Sequence, residues 1–404
     1  MAVRIKLMPK ETFGRRMQYA FLSMAPEDST VVRYETDIVE FDDVESYVKT
    51  VELALEAILG FLYDEGSQAR CRLEPVHGID CCKLDRGPTL YTSGISDSKI
   101  LRDAGLDKCM YPAAKGGPRV AWTHAAVSYA VMVLERGEPL RGGDYRAPNL
   151  AKASLFTNVR GVGVATESKE IRVDLDAMGT VLLGGAIAFL GSHRLGHDER
   201  LEFFLLPDSP TATYSVLRSI MAGKTTGNLA GRVSRLIRDF NVGFEQALAL
   251  ITASLLYENE EKVSKLGVGR LSASGRLYTV SPGQRRQKRQ KPQRPMIRSG
   301  TPLSTLLYEA YEKDTISAFN WFTNAAEAAS RSRRDRIDKG VVASCLNYLY
   351  LQAQSPCATG FMYDCARILA ELSRRNDELG KSSSLLVWRL KAEYSRMAWR
   401  CRSL

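Results

Sequence analysis

The chain has 404 residues, of which 45% are hydrophobic, 25% charged and 8% aromatic, enough apolar material for one or two ordinary cores and no general signature of disorder. Its longest apolar stretch, Met178 to Leu190, is short and broken by Gly179, Gly184 and Gly185, so a transmembrane reading drops out. The first 24 residues carry Arg4, Lys6, Lys10, Arg15 and Arg16 but no continuous apolar region or small-residue cleavage site, and a cytoplasmic location without a membrane partner is expected.

Residues 1–24 are basic and weakly patterned. Between 26 and 65 the sign reverses, with twelve acidic residues against Arg33 and Lys49. There Val44, Tyr47, Val48, Val51, Leu55, Ile58, Leu59 and Leu62 recur at helical spacing behind Asp42 and Asp43, which can cap the free amides of a helix. From 66 to 150 the chain is rich in Gly, Pro and Cys and reads as loops around a short apolar helix, Val120 to Leu134. Residues 155–206 read as strands: Ile171, Val173 and Leu175 alternate with Arg172, Asp174 and Asp176, and Leu201 to Leu206 is an apolar run ended by Pro207. Helical periodicity then covers 211–222, 229–239 and 243–263, and again 302–328, 337–353, 358–379 and 383–400. The expected fold class is α+β, a mixed N-terminal region with a small sheet followed by a helical C-terminal bundle. The expected organisation is a mixed domain over 1–280, a basic mobile linker over 281–300 and a bundle over 301–404.

Charge is the most informative property of this sequence. The net value is +10, yet no acidic residue occurs between Glu261 and Glu309, a stretch holding eleven basic ones: Lys262, Lys265, Arg270, Arg276, Arg285, Arg286, Lys288, Arg289, Lys291, Arg294 and Arg298. Everything outside that stretch therefore carries about −1, and the basic character is a local device suited to a polyanion. Its centre, residues 281–295, holds three prolines and four glutamines with almost no apolar side chain, too little to order itself alone. Seven cations between 285 and 298 can displace counterions from a nucleic acid. The nearest aromatics are Tyr278 and Tyr308, so base stacking is not indicated there. The competing reading of the segment is a solvated linker.

Signals for catalysis are weaker. Met221-Ala-Gly-Lys-Thr-Thr resembles the end of a phosphate-binding loop, but Arg218 stands where that motif needs a glycine and the preceding segment reads as helix. Lys224 and Asn228, with Thr225 and Thr226, still suit a phosphate held at the start of the next helix. His193 and His197 have spacing for a shared metal on a helix face, although Gly191 and Gly196 interrupt the segment. Of eight cysteines none forms C-x-x-C; Cys71, His77, Cys81 or Cys82, and Cys109 could supply a zinc site, disulfides would suit a hyperthermophile, and buried thiols are the plainest reading. No catalytic triad can be named from spacing. Neither an enzyme, a metal site nor a cofactor is expected.

The mixed N-terminal region, the Gly-rich stretch Gly179-Thr-Val-Leu-Leu-Gly-Gly-Ala-Ile-Ala-Phe-Leu-Gly followed by Leu201-Glu-Phe-Phe-Leu-Leu-Pro, the basic loop and the helical C-terminal end together resemble the large subunit of an archaeal type I-A CRISPR surveillance complex (Cascade). The resemblance is architectural, runs over most of the chain and has no diagnostic motif. It implies a non-enzymatic subunit at the crRNA 5′ end, helping to recognise the PAM on double-stranded target DNA, steering the displaced strand, and recruiting the helicase-nuclease beside the other Cascade subunits. The alternatives are a nucleic-acid-packaging structural protein, of viral or other origin, and a metal-dependent nuclease built on His193 and His197.

Overall fold

The structure, a computed structural model, describes residues 2–26, 37–62, 71–76, 79–84, 122–152, 171–194, 200–222, 229–281, 296–298, 339–354, 359–377, 379–385 and 387–388. The fold is mixed α+β. In chain order its first elements are β1 (Val3–Lys6), α1 (Phe13–Leu22), β2 (Ile38–Phe41), α2 (Val44–Leu62), β3 (Cys71–Val76), β4 (Ile79–Leu84), α3 (Trp122–Arg136), β5 (Tyr145–Arg146), α4 (Asn149–Lys152) and β6 (Arg172–Val173). They are followed by α5 (Leu175–Ala188), β7 (Phe189–Arg194), β8 (Arg200–Leu206), α6 (Thr213–Ala222), α7 (Leu229–Phe240), α8 (Phe244–Glu258), α9 (Glu260–Leu266) and α10 (Val268–Ala273). The last are β9 (Arg276–Ser281), β10 (Met296–Arg298), α11 (Lys339–Gln354) and α12 (Thr359–Leu372). No helix among the described residues is long and apolar enough to cross a membrane.

Two compact units emerge, Met1–Thr225 with Ser274–Thr301, and Thr226–Ala273 with Pro302–Leu404. The division differs from the expected one. Helices α7 to α10 join the C-terminal helices rather than the mixed region, because α7 and α8 pack on α11 and Gln246 Nε2 donates to Asn347 Oδ1 at 2.6 Å. Arg232 of α7 is fully buried there, donating to Glu258 Oε1 at 2.9 Å and Ser254 Oγ at 2.8 Å on α8. Of the expected C-terminal helices, 337–353 appears as α11, while 358–379 is shortened to α12, since 373–377 form a turn and bends before a further helical stretch at 379–385. The expected helix 302–328 and the end of 383–400 lie outside the described residues.

The first unit is organised around α5, all of whose residues are buried. This helix corrects the expectation that 155–206 is strand throughout. The alternating pattern stops at Val173, where Asp174 accepts from the Ala177 amide at 2.8 Å and starts a helix. A helix buried on every side has no polar stripe, so periodicity cannot distinguish it from a buried strand. Its glycines admit close neighbours. A Cβ on Gly184 would lie 1.7 Å from the Met17 carbonyl oxygen of α1, and one on Gly185 2.7 Å from Trp122 Nε1 of α3. Close approach also allows hydrogen bonds to α5: Trp122 Nε1 donates to Leu182 O at 2.8 Å, and Gln18 Nε2 to Thr180 Oγ1 at 3.0 Å.

Helix α2 starts where expected, with Asp43 accepting from the Ser46 amide at 2.7 Å, a bond that holds the Asp43 carboxyl below its ordinary value. It delivers Tyr47 to a buried chain in which Tyr129 donates to Asp176 Oδ1 at 2.8 Å and Tyr47 to the Tyr129 hydroxyl at 2.6 Å. Burial pushes both phenols well above their ordinary range. A four-stranded antiparallel sheet, ordered β10-β9-β8-β7, lies at the other end of α5. Phe204 of β8 meets Phe13 and Phe189 edge-on, each at 5.5 Å between ring centroids.

Two outcomes test this core. Gly184→Ala should destabilise by about 3 kcal/mol or more, the upper range for overpacking, because its obstacle is backbone. Gly137→Ala, where nothing lies within 4 Å and only a φ of 65° opposes a side chain, should lose only about 1 kcal/mol; urea denaturation of both variants compares them. The second outcome concerns Asp176, which burial raises above its ordinary value of 3.8 while the Tyr129 bond pulls it back and Asp174 and Arg141 act in opposite senses. A raised folded-state value means stabilisation that is complete below the unfolded value and lost as pH rises through the folded one. Asp176→Asn should therefore gain stability relative to the unsubstituted protein between about pH 3.5 and about pH 7. Melting curves at both pH values measure it, and a pH-independent difference would refute it.

Candidate nucleic-acid interface

The basic segment begins and ends on paired strands. In the β9–β10 ladder Ser281 lies opposite Met296, Ile297 opposite Val280 and Arg298 opposite Thr279. Cross-strand neighbours in an antiparallel pair sit about 5 Å apart, so both ends of 282–295 are held together at one end of the sheet. The segment is a hairpin connection inside the first unit, which continues to Thr301, rather than the expected linker between two domains. The expectation of a mobile loop over 285–298 is corrected for 296–298, which form β10: Met296 and Ile297 are the segment's one apolar pair, and β9 offers them a ladder.

Within the structure β9 has a firm base. Leu277, Tyr278, Thr279 and Val280 are buried, β9 pairs with β8 from Leu206↔Arg276 to Glu202↔Val280, and Tyr278 packs edge-on against Phe13 at 5.6 Å. Burial raises the Tyr278 phenol, with Arg16 and Arg276 lowering it and Asp208 raising it. Those three charges form one cluster. Asp208 Oδ1 pairs with Arg16 Nη1 at 2.6 Å and its Oδ2 with Arg276 Nε at 2.8 Å. Arg276 is 54% exposed and Arg16 19%, so one carboxylate restrains two guanidiniums at the start of the strand that leads to the basic segment.

Among the residues expected to bind nucleic acid, Arg298 is on β10. Arg285, Arg286, Lys288, Arg289, Lys291 and Arg294 lie outside the described residues, as do Lys224 and Asn228. The chain enters the 223–228 gap from a helix, α6, and leaves it into α7, which is not the strand-to-helix setting of a phosphate-binding loop. His193 is on strand β7, opposite Leu201, so the H-x-x-x-H spacing does not occupy one helix face; His197 lies outside the described residues. Cys71 pairs in register with Leu84, and Cys81 with Glu74, across β3–β4. Cys345 on α11 is buried. Among the described residues no three His, Cys, Asp or Glu side chains gather in a metal-binding group.

Sequence reasoning missed the Asp208 clamp. Arg276 counts toward the acid-free run, yet its charge is met by an aspartate from the turn after β8, a partner that no local spacing announces. Likewise Lys265 is met by Glu261 at 2.8 Å, one helical turn back. Asp208→Asn should release both arginines, lower stability by less than about 1 kcal/mol because the pairs are partly exposed, and raise affinity for duplex DNA with a salt slope steeper by up to about 2. A salt titration of binding beside a melting curve tests it, and unchanged or weaker binding would remove Arg16 and Arg276 from the interface.

No family model, curated protein or solved structure matches this chain.

Proposed function

We propose that the chain is a non-enzymatic nucleic-acid-binding subunit of a type I-A CRISPR effector complex, engaging double-stranded target DNA through the basic hairpin segment. The observation that carries the reading is the pinning of an acid-free, arginine-rich segment at both ends by the Ser281↔Met296 pair. A segment returned to the same sheet presents its cations from one place, whereas an interdomain linker would spread them along a path between bodies. Six of its residues between 282 and 295 are basic and none is acidic, and such a density favours phosphate contact over base reading. In that reading the protein contributes to PAM recognition, displaced-strand binding and helicase-nuclease recruitment alongside crRNA and the other subunits, acting in the cytoplasm, while base pairing supplies sequence specificity.

The test replaces Arg285, Arg286, Lys288 and Arg289 with alanine. Each phosphate contact contributes roughly 0.9 to the log–log salt slope on duplex DNA, so the slope should flatten by up to about 3 to 4. The melting temperature should hold, since the substituted residues lie beyond the paired positions of β9 and β10. A salt titration of duplex binding with both proteins measures the slope; equal slopes and affinities would return the segment to a solvated connection. Isolation with a short RNA and backbone subunits is the expected cellular outcome, and self-association on any nucleic acid would favour a packaging protein.

A further inference from the structure

The helical unit carries two large aromatic side chains that its own packing does not use. Tyr363 is 73% exposed on α12 and Trp388 is 70% exposed on the helical stretch that follows it. Both belong to exposed faces with a regular spacing. On α12, Tyr363, Arg367 and Ala370 are exposed at i, i+4 and i+7, which is one face of a helix, and Arg374 is exposed in the turn that follows. After the turn, Lys381, Ser384, Leu385 and Trp388 are exposed at i, i+3, i+4 and i+7, again one face. Leu369, Leu372, Leu379 and Ser383 are buried, so the fold already has its apolar side and the aromatics stand on the other.

The company these rings keep decides what they suit. Among the described residues the exposed charges from 359 to 388 are Arg367, Arg374 and Lys381 against Glu371, and none of the three cationic side chains has an ion-pair partner there. Arg375 differs, since it is held by Asp377 at 2.6 Å. A protein-docking face would place further large apolar side chains around the rings, whereas among the described residues the exposed apolar ones that accompany them are Ala370 and Leu385, and cations interleave. Flat rings with exposed cations along a stripe match a strand whose bases are open to stacking and whose phosphates need neutralising. A duplex keeps its base faces covered, so rings on a convex helix surface cannot stack on it.

We propose that the Tyr363–Arg367–Arg374 and Lys381–Trp388 faces of the helical unit form a binding surface for single-stranded nucleic acid, with the rings stacking on bases and the cations meeting phosphates. The proposal rests on the nucleic-acid-binding reading above and deepens its single-strand part, assigning that contact to other residues and another unit than the basic segment. From Tyr363 to Ala370 the face runs seven residues along α12, a rise of about 10 Å, room for a short stretch of an extended strand.

The experiment uses the full chain with a fluorescein-labelled oligothymidine and, separately, a duplex of equal length. The double variant Tyr363→Ala, Trp388→Ala should bind oligothymidine at least about thirtyfold more weakly with its salt slope retained. Tyr363→Phe with Trp388→Phe keeps two rings and should keep most of the affinity, which guards against a folding effect. Replacing Arg367, Arg374 and Lys381 with glutamine should flatten the single-strand slope by up to about 2. Duplex binding should be unchanged throughout, whereas the alanine variants of the basic segment weaken it. Loss of duplex binding in those variants with no effect of the aromatic substitutions on oligothymidine would overturn this proposal alone, and an unsubstituted protein that binds neither nucleic acid would overturn both. A changed oligomeric state in the aromatic variant with oligothymidine binding intact would also overturn it, in favour of a face for a second copy of the chain.

Discussion

The close approach of α5 to α1 and α3 is the constraint on which the first unit depends. Interaxial distances between helices are set by the side chains at the crossing, and at Gly184 the side chain is absent, so the Met17 carbonyl of α1 occupies the space that a Cβ would need. Gly185 does the same for the Trp122 indole and Gly179 for the Tyr129 ring. The glycines weaken α5 as an isolated helix. They are offset by packing and by hydrogen bonds that only such proximity allows, such as Trp122 to the Leu182 carbonyl. Propensity loses to tertiary fit at these positions.

Burying a helix completely makes its ends a problem, since the first amides and last carbonyls have no partner within it. Asp174 meets the first need. At the other end Arg218 of α6 is buried and donates from Nε to the Ile187 carbonyl at 2.7 Å, placing a cation at the negative end of the helix dipole. Desolvation lowers the Arg218 pKa while Tyr214 acts in the opposite sense. Tyr214, one turn earlier, donates to the Leu205 carbonyl of β8 at 2.7 Å. Helix α6 thus ties the end of α5 to the middle of the sheet, and β8 in turn carries β9, the strand from which the basic segment departs. Core packing and the placement of the candidate interface are one connected problem in this unit.

Charge is distributed by a different logic in each unit. In the first, a run of basic residues is concentrated in a short length of chain, while Asp208 holds back two further guanidiniums at the near end of β9. In the second, the Arg232–Glu258–Ser254 network satisfies a cation inside the helical packing, whereas Arg367, Arg374 and Lys381 are left facing water among the described residues. Buried guanidiniums are retained where several acceptors converge on them; exposed ones gain little from a partner and remain available to an anion from outside.

Several elements are legible from local sequence because their signals are local. Asp43 before the apolar stripe of α2, the β8 run ended by Pro207 and the periodicity of α6 to α9 each depend on residues within a few positions, and the acid-free run from 262 to 308 needs only counting. The mixed α+β class follows from those signals. What they omit is everything set by distant partners. Helix α5 looks like strand until α1 and α3 surround it, because uniform burial erases the periodicity that distinguishes the two. The placement of α7 to α10 depends on contacts with α11, and the hairpin role of 281–296 depends on Met296 finding Ser281 across a gap filled by residues with no apolar pattern. The same holds for the Asp208 clamp and for the exposure of Tyr363 and Trp388, which share their sequence setting with buried aromatics elsewhere in the chain. By itself the sequence determined which segments are apolar, capped or charged; the tertiary structure alone decided which faces are covered and which cations are neutralised, because burial and pairing are properties of neighbours in space.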